Sequence, residues 1–221
     1  MGTFFTQLSV FSSCLASKFL NSMIPAHILR PTFISKKQIR PGACRYFWGW
    51  LNAVFNKVDY ERIKDFGPDR AASEWLLRCG AHVRYKGFER WQQDYNGLPT
   101  GPLGKFKIQA INATDSCIMY RGFDHLDGLE HVEEIKLCKC IYIEDTCLER
   151  MSKIENLQNS LRRLEIISCG NVTDRGIIAL NTLRNLEYLF LSDLPGITKK
   201  QTTVEMLQTA NPSLHVELDL D

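Results

Sequence analysis

The sequence predicts an α/β fold: a short solenoid of about four repeats, each a strand, a corner and a helix, with a helical cap before the first. Three observations predict it. An apolar spacing of three, two, three and three residues occurs at Leu161, Leu164, Ile166, Cys169 and Val172. It recurs at Val132, Ile135, Leu137, Cys140 and Ile143, again at Leu186, Leu189, Leu191, Leu194 and Ile197, and in a weaker form at Ile108, Ile111, Ala113 and Ser116. The starts at 108, 132, 161 and 186 are 24, 29 and 25 residues apart.

That spacing matches neither the 3.6-residue period of a helix nor the two-residue period of a strand. It requires a short strand that turns a corner while still directing apolar groups inward. Period and grammar together are those of leucine-rich repeats.

The elements follow in chain order. No Asp or Glu precedes Asp59. Residues 1–46 carry Lys18, Arg30, Lys36, Lys37, Arg40 and Arg45, hence +6, whereas the remainder holds 21 basic and 25 acidic residues, hence −4. An acid-free, basic, hydroxyl-rich leader has the composition of a mitochondrial presequence. We therefore expect 1–46 to be removed, leaving a chain that begins near Phe47. "MGTFFT" also fits the myristoylation pattern at Gly2, a chance match for so short a motif.

Residues 47–104 read as the cap. "WLNAVFNKV" is an apolar helical stretch. In "GPDRAASEWLLRCGAHVRY", Pro68 marks a helix start, Trp75, Leu76 and Cys79 recur at helical spacing, and Gly80 is placed to stop the helix. "NGLPTGPLG" is a Gly/Pro loop leading into the repeats. Residues 105–221 are the repeats, continued after their corners by helical stretches in "EDTCLERMSKIENLQ", "TDRGIIALNTL" and "TKKQTTVEMLQTA". "NPSLHVELDLD" alternates Leu214, Val216, Leu218 and Leu220 and reads as a closing strand.

Strand residues between the inward ones face the concave side. These are Ala110, Asn112 and Thr114; Glu134, Lys136 and Cys138; Arg163, Glu165 and Ile167; Tyr188, Phe190 and Ser192. The face mixes charges and gains aromatics toward the C-terminus. That suits a protein partner, with Glu134, Lys136, Arg163, Glu165, Tyr188 and Phe190 as its contacts, better than nucleic acid, which favours uniform positive charge.

No catalytic motif is present: no G-x-S-x-G, no H-E-x-x-H, no P-loop. The Asp124-His125 pair reads as a turn and cap. C-x-x-C zinc spacing is absent. Cys138 and Cys140 stand two apart, close enough to oxidise or hold a soft metal, although Cys140 lies in the inward column and Cys138 reads as surface. No apolar run reaches the ~20 residues of a spanning helix.

Three stretches carry a more specific signal: "FWGWLNAVFNKVDYERIKDFGPDRAASEWLLRCGAHVRY", "LPTGPLGKFKIQAINATDSCIM" and "EIISCGNVTDRGIIAL". The chain from 47 to 221 resembles the mitochondrial ATP synthase subunit s (coupling factor B) family. The resemblance implies a non-catalytic protein on the matrix side of the inner membrane. It would be held there through protein contacts with ATP synthase, supporting the coupling of proton transport to ATP synthesis. It also implies a magnesium ion where cap meets first repeat, held through backbone atoms at the positions matched by Gly80 and Thr114. A related family assembles the membrane arm of a respiratory complex, which gives an alternative role. A second alternative, an F-box-type leucine-rich-repeat adaptor, fits the repeats and helical cap but leaves the acid-free leader unexplained.

Overall fold

The computed structural model describes residues 49–220. The expected presequence and its cleavage near Phe47 lie outside them. From Asn52 onward the chain forms one compact unit.

Helical turns at 49–55 lead to helices α1 (Tyr60–Phe66) and α2 (Pro68–Arg78). The Asp59 carboxylate caps α1 by accepting from the Arg62 N–H, and Gly67, at φ 83°, lets α1 end and α2 begin within one residue. Few residues other than glycine tolerate that φ. α2 buries Ala71, Ala72, Trp75, Leu76 and Leu77 and stops at Arg78, just before Gly80. Two charges go under with it. Glu74 accepts from Arg62 at 2.8 and 2.9 Å and from Arg70 at 2.9 Å, and Asp69 holds Lys107 Nζ at 3.0 Å and the Ile108 N–H at 2.9 Å.

The expected cap segment is not all helical. His82–Tyr85 form strand β1, which pairs antiparallel with β2 (Ile108–Thr114). The physical reason is alternation: Val83 and Tyr85 are buried, His82 and Arg84 half-buried. α1 too was not legible as a separate element.

Beyond β2 the sheet is parallel and sequential: β3 (Glu134–Cys138), β4 (Arg163–Ile167), β5 (Tyr188–Ser192) and β6 (His215–Asp219) complete a six-stranded sheet in chain order. The connections are a 3-10 helix η1 (Tyr120–Leu126), helices α3 (Asp145–Ser152) and α4 (Glu155–Ser160), α5 (Asp174–Ala179) with the 3-10 turn η2 (Leu180–Thr182), and α6 (Lys200–Ala210). Where one helix was expected after β3, extended backbone at Ile154 (ψ 110°) divides it into α3 and α4.

The register is continuous. Ile111, Ile135, Leu164, Leu189 and Val216 stand side by side across five strands, as do Ala113, Leu137, Ile166, Leu191 and Leu218. Through β5 both rows are buried, and Ile111, Ile135 and Leu137 meet Trp75, Leu76, Phe123 and Met151. Each corner is then built alike. Asp115, Lys139, Ser168 and Asp193, the residues after β2 to β5, all have φ between 49° and 54°. Left-handed backbone at a non-glycine residue costs on the order of 1–2 kcal/mol. The repeated compensation is a main-chain bond forward: their N–H groups donate to Cys138, Ile167, Ser192 and Asp219 at 2.8, 2.9, 3.0 and 3.1 Å.

Carboxylates stitch the helix starts. Asp145 accepts from the Thr173 N–H (2.8 Å) and hydroxyl (2.6 Å). Asp174 accepts from the N–H groups of Thr198 (3.0 Å) and Lys199 (3.1 Å) and the hydroxyls of Thr198 (2.9 Å) and Thr203 (2.8 Å). The approach is close: a Cβ on Gly176 would stand 2.4 Å from Asp145 Oδ1.

Three residues expected on the open face are buried instead: Ala110, Cys138 and Ser192. Arg84 and Glu134 flank Ala110 in the register and meet at 3.2 Å, closing over its methyl group. Ser192 donates to Asp219 at 3.0 Å. Cys138 is a small side chain between Thr114 and Ile167 on its rung.

Candidate interaction face

The sheet surface opposite the buried rows carries three rungs. One runs Ala110, Glu134, Arg163, Tyr188, His215; the next Asn112, Lys136, Glu165, Phe190, Glu217; the last Thr114, Cys138, Ile167, Ser192, Asp219. All six expected contact residues therefore lie on two adjacent rungs of one surface.

Their charges are spent largely on each other. Glu165 accepts from Lys136 at 2.9 Å and Arg163 at 2.9 Å. Burial alone would raise the Glu165 carboxyl, but these two cations outweigh it and hold the pKa below the ordinary carboxylate value. The Arg163 guanidinium lies 4.1 Å from the centre of the Tyr188 ring, and the Tyr188 hydroxyl donates to Glu217 at 2.6 Å. Glu134 is held by Arg84, whose guanidinium lies 5.5 Å from the centre of the Trp91 ring. Exposed pairs of this kind contribute up to ~1 kcal/mol each. Their larger effect is to fix side chains in place, which leaves an ordered surface. Phe190 is half-buried between Glu165 and Glu217 on its rung.

Arg84, Trp91, His215 and Glu217 also belong to this surface and were not assigned to it from sequence. The alternation in "HVELD" was the available signal for the last two; Arg84 depended on recognising β1.

The remaining expected sites are dispersed. Gly80 (φ 85°) precedes β1, whose antiparallel register with β2 carries it toward Thr114. The Thr114 hydroxyl donates to Asn112 Oδ1 at 2.6 Å. Among the described residues no group of three or more His, Cys, Asp or Glu is placed to hold a metal.

Cys138 and Cys140 diverge. Burial pushes the Cys138 thiol up. Cys140 is fully buried, its thiol donating to the Ala113 carbonyl at 2.6 Å. Asp124 pairs with Arg150 at 3.0 Å, while His125 is buried and stacks on Trp75 with ring centres 5.1 Å apart. Among the described residues neither His125 ring nitrogen has a partner at full hydrogen-bond geometry, although the Lys57 main chain lies near enough to favour its proton. This Asp-His pair is thus divided between an ion pair and the core. Among the described residues no helix is long and apolar enough to cross a membrane.

A sequential sheet, parallel from β2 to β6, with one ordered, charged and aromatic face defines the chain as an α/β protein of tandem strand–helix units. No family model matches it. It is 70% identical over 182 residues to human "ATP synthase subunit s, mitochondrial", covering 81% of this chain and 91% of that one. Cattle and rat proteins of the same name are 71% identical over 176 residues (80% and 88% of the two chains) and 64% identical over 200 residues (90% and 99%). The chain belongs to the mitochondrial ATP synthase subunit s family. A more distant relative is the Drosophila melanogaster "Distal membrane arm assembly component 2", 24% identical over 162 residues, 71% of this chain and 55% of that one.

Proposed function

We propose that this is a non-catalytic mitochondrial protein that associates with the inner-membrane ATP synthase and supports coupling of proton transport to ATP synthesis. The observation that carries the reading is near-full-length likeness to proteins named as mitochondrial ATP synthase subunits, at 64–71% identity. On this reading 1–46 is the cleaved presequence and the protein works on the matrix side. The fold is a leucine-rich-repeat solenoid: the 24, 29 and 25-residue period and the four like corners support that description. Residues 47–104 cap its first repeat. Glu134, Lys136, Arg163, Glu165, Tyr188 and Phe190 form the partner contact, because aromatics and arginine dominate binding energy when desolvated. Magnesium at the Gly80 and Thr114 backbones belongs to the same proposal; calorimetric titration with magnesium chloride tests it directly. Cys138 and Cys140 are the thiols to follow by mass spectrometry under oxidation.

The likeness to a membrane-arm assembly component supports a second reading, assembly of a respiratory complex. Affinity capture from detergent-solubilised inner membranes separates the two. The full chain should retain ATP synthase subunits, and a Tyr188→Ala/Phe190→Ser variant of unchanged melting temperature should lose them. Capture of membrane-arm intermediates instead would favour the second reading. Undiminished capture by the folded variant would remove this face from the mechanism. A cytosolic, uncleaved protein would favour the adaptor alternative.

A further inference from the structure

The last strand differs from those before it. Main-chain bonds from the His215 N–H to Glu187 and from the Asp193 N–H to the Asp219 carbonyl show that His215 and Asp219 direct their backbone toward β5. The backbone groups of a strand alternate sides, so those of Val216 and Leu218 point out of the sheet. β6 ends the strand order, and among the described residues no main-chain group pairs with its free edge, although the Lys200 ammonium donates to the Leu220 carbonyl just beyond it.

Its two surfaces are unfinished as well. On the inner side Leu218 is 38% exposed, although the four residues before it on that row are buried to 4% or less. On the outer side each carboxylate upstream has a cation: Glu134 has Arg84, and Glu165 has Lys136 and Arg163. Glu217 and Asp219 have only hydroxyl donors, from Tyr188 and Ser192, and neither forms an ion pair among the described residues. Two carboxylates of one sign, a half-covered apolar row and an open ladder therefore meet on a five-residue strand.

The geometry points to β6 as a strand-addition site for an extended segment of a partner protein, with basic residues at alternate positions and apolar residues between them. Main-chain bonds to Val216 and Leu218 supply the pairing. The basic side chains lie on the outer rungs beside Glu217 and Asp219, and the apolar ones continue the row that Leu218 ends. Strand addition draws affinity from the ladder and specificity from alternate side chains. This goes beyond the strand-face contact and needs none of its six residues.

The test uses the full chain and two fluorescent peptides of about nine residues, one alternating Lys with Val and Leu, the other with Glu in place of each Lys. The basic peptide should bind and weaken with salt; the acidic one should not bind. Glu217→Gln with Asp219→Asn keeps both acceptor oxygens for Tyr188 and Ser192 and removes the charge, so affinity should fall about tenfold. Leu218→Pro removes an outward N–H and trims the side chain that ends the apolar row while leaving the β5 ladder intact, so a variant shown to be folded should lose binding. Equal binding of the two peptides, or full binding by a folded Leu218→Pro variant, overturns the proposal. So does binding of neither peptide, which would make the acids a guard against edge pairing. A dimer in sedimentation that Leu218→Pro dissolves would assign the edge to a second copy and also overturn it. None of these outcomes bears on capture through Tyr188 and Phe190.

Discussion

Replacing Asp174 by Ala should destabilise the junction between the last two helical units more than any other loss of one surface carboxylate. The side chain accepts four hydrogen bonds, two from main-chain N–H groups and two from threonine hydroxyls. Neutral bonds contribute about 0.5–1.5 kcal/mol each and those to a charge somewhat more. Asp174 is half-exposed, which argues for the lower end, so the sum is about 2–3 kcal/mol. For a domain of this size each kcal/mol moves Tm by about 2–4 °C, so a drop of roughly 5–10 °C is expected. Asp174→Asn keeps one acceptor oxygen and should lose about half as much.

Burial alone would raise the Asp174 pKa; the bonds from Thr198, Thr203 and Lys199 outweigh it and set it below the ordinary 3.8. A depressed carboxylate stabilises fully above its unfolded pKa and loses that contribution as pH falls through the folded value. The wild-type advantage over Asp174→Asn, read by urea unfolding, should thus be constant from about pH 7 to 5 and shrink only below about pH 4. An advantage that shrinks between pH 7 and 5, or an Asp174→Ala variant melting with wild type, would refute the reasoning.

Leu164→Ala, in the fully buried row, should cost about 2–5 kcal/mol, and Arg163→Ala, exposed beside it, at most ~1 kcal/mol; equal melting shifts would place the register wrongly. Gly122→Ala should destabilise strongly, because its Cβ would stand 2.4 Å from the Trp75 ring; thermal melting checks it. Burial lowers the His125 pKa below 6.5, so its contribution is complete above that value and declines as pH falls below it. His125→Phe should keep the stack on Trp75 and flatten this part of the stability–pH profile measured by denaturant unfolding. Mass spectrometry of the endogenous protein should find its N-terminus within a few residues of Phe47, and an intact Met1 would contradict the presequence.

The strands from β2 to β5 were legible because their inward residues follow a spacing that neither a free helix nor a flat strand produces, and β6 from the plain alternation of Leu214, Val216, Leu218 and Leu220. The end of α2 was legible from Gly80 beyond a helical run. β1 was not. Four residues alternating beside a helix acquire meaning only through β2, and its pairing register, His82 to Asn112, is a tertiary fact. The face was legible as a set of positions and not as a network. Alternation places Lys136 and Glu165 outward, but only the register makes them neighbours. The division of α3 from α4 rests on one extended residue, Ile154, for which the sequence offers neither Gly nor Pro.

The four left-handed corner residues have a kinetic corollary. Each corner amide is protected by a carbonyl that belongs to the following unit, so its protection depends on structure it does not itself contain. Native-state hydrogen exchange at Asp115, Lys139, Ser168 and Asp193 would therefore report fraying unit by unit. The Asp193 amide, held by Asp219 on the terminal strand, should exchange fastest and the Asp115 amide slowest. A stop codon before His215 would expose the Asp193 amide without altering any residue of its own unit, and each further unit removed would release the next amide upstream.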